Sequence, residues 1–189
     1  MLYHISLNIG KKIKEFKPKV PRGKCVIVNE NVTIPRICLS NSLEGCLTGV
    51  PWGGYNLITD SPLNSDQIIT FARIYEFDET KIEEQNILFP HEVQKYVLDA
   101  EISGEHWVVN QTIVPEKSYV IVVKNFDIDC VNLKSNNKTY RIYVIKNPEY
   151  KILSKEIEDL WVNAINIEDD FDREKYVAKN YEKLLSVFK

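Results

Sequence analysis

Three places in the chain put reactive or ligand-holding side chains where a fold can aim them. The first is His4, inside the apolar run Leu2-Tyr3-His4-Ile5-Ser6. A strand histidine is commonly a satisfied core residue, yet a strand also holds the ring steadily enough to donate a fixed hydrogen bond to a ligand hydroxyl. The second is the stretch from Gly45 to Tyr55, which contains four of the seven glycines and so concentrates backbone freedom in one place. Glycines such as Gly53 let a backbone approach a ligand closely, and Trp52 and Tyr55 offer flat apolar surface for a base to stack on. A long turn with two buried aromatics is the plain alternative. The third is Gly104-Glu105-His106-Trp107-Val108-Val109, a carboxylate set beside a tryptophan. Pure packing rarely needs that construction, although an ordinary surface carboxylate would also explain it. Arg36, Ser40 and Ser42, around a second short strand, form a weaker fourth group.

Other chemistries fail at the residue level. His4, His91 and His106 have no H-x-x-x-H spacing, so no catalytic zinc site is expected. There is no G-x-S-x-G elbow, no Walker sequence and no G-x-G-x-x-G after a long strand. No pair among Cys25, Cys38, Cys46 and Cys130 has the two-residue gap of a zinc knuckle or redox motif. The opening residues lack a basic stretch followed by a long apolar one, so a cytoplasmic protein with buried, unbridged thiols is expected. No apolar run is long enough for a membrane span.

The elements that must position these groups can be read from pattern. A chain of 189 residues holds one hydrophobic core but not two comfortable domains, so a single domain over 1–189 is expected, with a β-rich body over 1–147 and a helical segment over 148–189. The formal net charge of -3 argues against a strongly basic nucleic-acid binder while leaving room for a local patch. Strands are expected at Leu2–Ser6, Arg36–Ser40, Gln67–Phe77, Tyr119–Val123 and Tyr140–Ile145, with a turn at Asn136-Asn137-Lys138. The alternation of Leu98, Ala100 and Ile102 with Asp99, Glu101 and Ser103 predicts a half-buried strand running to Gly104. Asn41 is the expected cap of a short helix, with Glu44 three residues on. Helical spacing returns at Leu153, Ile157, Leu160, Trp161 and Ala164, and again at Val177, Tyr181, Leu184 and Phe188, with Asp172 as the cap of the second helix. The order predicts an α+β fold of mostly antiparallel strands with two C-terminal amphipathic helices packed on it.

Taken in order, residues 1–125 resemble ADP-ribosyltransferase domains. That family has an N-terminal strand bearing His, matched by Leu2-Tyr3-His4-Ile5-Ser6. Its second strand ends in hydroxyl residues and enters a short helix, as Ile37-Cys38-Leu39-Ser40-Asn41-Ser42-Leu43-Glu44-Gly45-Cys46 does. A Glu-bearing strand follows, resembled by Glu105-His106-Trp107-Val108-Val109 and then Ile113-Val114-Pro115. The resemblance implies NAD as substrate and Glu105 and His4 as catalytic groups. It further implies a nucleotide pocket formed by His4, Ser40, Ser42, Trp52, Gly53 and Tyr55. The acceptor would be a protein or a nucleic acid, although Ser103, two positions before Glu105, speaks against arginine. Two other readings stand beside it: a non-catalytic nucleotide binder built on the same pocket, and an interaction protein, such as a phage inhibitor, that offers Glu168-Asp169-Asp170 to a basic protein partner.

Overall fold

The computed structural model describes residues 1–21, 31–50, 70–135 and 137–186. Its centre is a seven-stranded sheet in the order β4-β5-β2-β1-β3-β6-β7, with every neighbouring pair antiparallel. The strands are β1 (Leu2–Ser6), β2 (Ile37–Ser40), β3 (Thr70–Phe77), β4 (Ile87–Leu88), β5 (Glu105–Val108), β6 (Lys117–Ser135) and β7 (Lys138–Ile152). The expected α+β class with antiparallel pairing is therefore present.

Pairing strength differs sharply along this sheet. β1 runs beside β3 in continuous register from Leu2↔Phe77 to Ser6↔Arg73. β2 runs beside β5 from Ile37↔Val108 to Ser40↔Glu105. Between β1 and β2 the register holds one pair, Tyr3↔Ser40. The sheet is thus two well-laddered halves that meet at a thin seam.

Side chains alternate across both halves, as strand geometry requires. One face gathers Leu2, Tyr75, Phe77, Leu39 and Val108 around Phe16. It continues through Val120 and Val122 to Leu153, Ile157 and Trp161. The other face carries Ala72, Ile74, Ile121 and Val123 beneath Leu47, and at the far end Trp107 beneath Val93, Val97 and Ala100. Leu47 belongs to helix α1 (Leu43–Thr48), while α2 (Pro90–Val93) and α3 (Ala100–Ser103) cover the Trp107 end.

Several local expectations are corrected. Residues 100–103 form α3, not a strand; Gly104 closes it in the left-handed region at φ 61, its N–H donating to the Ala100 carbonyl. Over so few residues, alternation and helical period cannot be told apart, and a left-handed glycine is a common helix stop. Ser42, rather than Asn41, caps α1 by accepting from the Gly45 N–H at 3.0 Å. The strands read at Tyr119 and Tyr140 are parts of a much longer hairpin, β6–β7, paired from Ile121↔Ile152 to Ser135↔Lys138. Of the thiols, Cys46 is buried and Cys38 half-buried, but Cys130 is exposed on that hairpin.

The expected pair of C-terminal helices from residue 148 is corrected: β7 runs on to Ile152, and among the described residues three helices follow, α4 (Lys155–Asn166), α5 (Asp170–Lys179) and α6 (Tyr181–Leu185). Asp169 caps α5, so Asp172 sits in its first turn. The apolar stripe of α4 lies on the sheet, with Trp161 and Phe71 ring centroids 4.6 Å apart. A buried ion pair pins the contact: Arg73 Nη1 donates to Glu158 Oε1 at 3.0 Å while Nη2 donates to the Ile9 carbonyl at 2.8 Å. Helices α5 and α6 pack against α4. The expected burial of their stripe holds at Leu184 but not at Tyr181, which is exposed. Among the described residues no helix is long and apolar enough to cross a membrane.

Candidate functional site

Where β1 and β2 part, a cleft of about 420 Å³ opens beside α1. That volume lies in the range typical of small-molecule sites. Its walls come from both half-sheets: His4 and Ile5 on β1, Cys38 and Ser40 on β2, Glu105 on β5, with Gly45 and Cys46 of α1 alongside. His4, Ser40 and Glu105, distant in sequence, therefore border one space. The closeness of α1 depends on Gly45. A Cβ there would collide with the Ser103 carbonyl and the Ser40 hydroxyl, so only glycine lets the helix sit against the end of β2.

Burial favours the neutral ring at His4, and one contact assigns its tautomer. Nδ1 lies 2.9 Å from the Cys38 carbonyl oxygen, which can only accept, so Nδ1 carries the proton. Burial lowers the ring's pKa, partly offset by that same carbonyl. The expectation that His4 donates to a ligand is thus corrected: its donor is spent on the backbone, and Nε2 offers a lone pair. The ring stacks edge-on against Phe16 at 4.9 Å, with Tyr75 at 6.1 Å.

Glu105 has a built environment. Trp107 Nε1 donates to Glu105 Oε1 at 2.6 Å, and the indole is itself held beneath the Arg36 guanidinium, 3.9 Å from the ring centroid. Cys38 stands beside both charged groups. Burial raises its thiol pKa well above the usual value, and the Glu105 charge adds to the rise. Cys46 is pushed up to about 12, chiefly by burial. Both shifts disfavour the nucleophilic thiolate at neutral pH.

The remaining expected groups divide. The Ser40 hydroxyl donates to the Ser103 carbonyl at 2.7 Å and accepts from the Ser42 N–H at 3.3 Å, so it shapes the wall and is not a free ligand donor. Ser42 is engaged in capping α1 and does not line the cleft. Trp52, Gly53 and Tyr55 lie outside the described residues.

Strand alternation adds a constraint. Ser40 and Glu105 are register partners and leave the sheet on the side of Cys38 and Trp107. His4, one residue on from the Tyr3↔Ser40 pair, turns to the side of Tyr75 and Phe16. Both residues border the cleft, but they leave the sheet on opposite faces; this departs from the single shared wall that the transferase resemblance implies, and a ligand touching both must lie along the seam. No family model, curated protein or solved structure matches the chain.

Sequence reading gave little weight to Arg36 and treated Trp107 only as a neighbour. The signal was there: Trp107 stands two residues after Glu105, on the same face of one strand.

Proposed function

We propose that the seam cleft binds NAD and that the chain is an ADP-ribosyltransferase-like domain with Glu105 as its catalytic carboxylate. One observation carries this reading. The strands bearing His4, Ser40 and Glu105 are neighbours in the order β5-β2-β1, and all three residues border one cleft. The chemistry follows from charge. Loss of nicotinamide leaves an oxocarbenium-like cation on the ribose, as in glycoside cleavage. A carboxylate held by the Trp107 indole is fixed in place before that charge develops. Preorganised groups of this kind lower a barrier by about 3–4 kcal/mol. His4, through Nε2, accepts from a ribose hydroxyl on the other side of the seam.

A second reading has its own support. Glu105 already accepts a 2.6 Å hydrogen bond from Trp107, which suits a wall group in a non-catalytic nucleotide binder. Calorimetric titration with NAD, paired with an assay of nicotinamide release, separates the two. A transferase binds and releases nicotinamide, and Glu105→Gln keeps binding while losing release. A binder shows heat without release. Absence of binding by the parent chain removes both. The acidic run favoured by the interaction reading is occupied locally, since Asp169 caps α5 and Asp170 pairs with Arg173 at 2.8 Å.

A further inference from the structure

Beyond Val123, the pairing of β6 among the described residues is with β7 alone. Among the described residues the result is a two-stranded ribbon. Its distal part, residues 130–143, carries Lys134, Lys138 and Arg141 and neither Asp nor Glu, in a chain whose net charge is -3. All three cations are exposed, and none is in an ion pair among the described residues. Register pairs Cys130↔Tyr143, Asn132↔Arg141 and Lys134↔Thr139 set Tyr143, Arg141 and Lys134 on one face. Tyr143 is 38% exposed there, so its ring is open to a stacking partner.

This face has a definite direction. Ile145, two residues from Tyr143 on the same side, packs with Leu47 of α1, and its N–H donates to Thr48 Oγ1 at 3.0 Å. The ribbon's basic face therefore rises from the side of the sheet that α1 covers, where the cleft opens.

We infer that the distal β6–β7 ribbon is a docking surface for single-stranded nucleic acid, with Lys134 and Arg141 on phosphates beside Tyr143 stacked on a base, and Lys138, on the opposite face at the hairpin end, on a phosphate beyond the tip. Clustered cations with an interleaved open aromatic ring fit a polyanion bearing flat rings. The inference does not depend on NAD. Where both hold, nucleic acid is the class of acceptor that the ribbon would present to the cleft.

The test is fluorescence anisotropy with a labelled oligothymidylate of about 20 nucleotides, the full chain and no NAD, starting at about 25 mM salt. Three phosphate contacts on a single strand predict a slope of log affinity on log salt of about -2. Lys134→Ala/Lys138→Ala/Arg141→Ala should flatten that slope toward zero and weaken binding about tenfold or more at the lowest salt. Tyr143→Ala should weaken binding about fivefold or more with the slope unchanged. Unchanged melting temperatures show that these exposed substitutions leave the fold intact. Absence of binding, equal binding by the triple variant, tighter binding to a duplex, or equal competition by polyglutamate would each overturn the inference. Lysines also keep free strand edges from pairing with other chains. If that is their whole role, the triple variant aggregates and the parent chain ignores the oligonucleotide.

Discussion

Glu105 and His4 meet a ligand in opposite ways, one as a charge and one as a neutral acceptor, and each makes a separate expectation. Glu105→Gln keeps an oxygen for the Trp107 indole but removes the charge. Nicotinamide release should fall by about two to three orders of magnitude with NAD affinity little changed. Equal release by the variant would move catalysis elsewhere. For His4 the lowered pKa sets the sign. Between the folded value and the ordinary value of about 6.5, the unfolded chain binds more protons than the folded one. Stability attributable to His4 is therefore present above about pH 6.5 and is lost as pH falls below it. Unfolding free energies of the parent and His4→Gln chains should converge as pH drops through that window. NAD affinity should fall only as pH passes below the lowered folded value, because protonated Nε2 donates and no longer accepts. A histidine NMR titration placing His4 at or above 6.5 would contradict both.

At the scale of elements, α1 is the piece whose placement shapes the cleft. It is wedged against Ser40 and Ser103 at one end and tied to β7 through Thr48 and Ile145 at the other. Gly45→Ala should cost about 1–3 kcal/mol in denaturant unfolding, since the added methyl must displace a backbone carbonyl. A neutral effect would mean that α1 moves freely. Much of this arrangement was legible in the sequence. The strand around His4, the strand ending at Ser40 and the helix after it all stand where pattern placed them. What pattern missed has physical causes. The Ala100–Ser103 helix is one turn long, so its alternating residues satisfy two periods equally. The direction of the His4 ring is set by partners far along the chain, at Cys38 and Phe16, which no local window contains. Ser42 reads like a ligand hydroxyl until the Gly45 N–H is found to use it.

For the molecule as a whole, the Arg73–Glu158 pair joins the C-terminal helices to the sheet. Both side chains are buried and α4 covers Val120 and Val122, so the helical segment completes the core. Glu158→Gln leaves the guanidinium without its counter-charge. Breaking a buried pair from one side costs about 3–5 kcal/mol. The expected result is a large drop in unfolding free energy measured in urea, and a loss below about 1 kcal/mol would place the pair among weak surface bridges.

The thin seam between β1 and β2 also bears on how the protein is made. Strands β4, β5 and β2 stand on one side of it, and β1, β3, β6 and β7 on the other. In chain order the polypeptide changes side between β1 and β2, again between β2 and β3, again before β4, and once more between β5 and β6. Neither half is a continuous stretch of chain. No single proteolytic cut can therefore release one half as a folded fragment, and a ribosome that has finished β5 has not yet supplied the outer strands of the other half. Long-range pairings of this kind must close large loops before they repay the entropy. Folding is expected to be slow and post-translational, with the cleft forming only when both halves are in place.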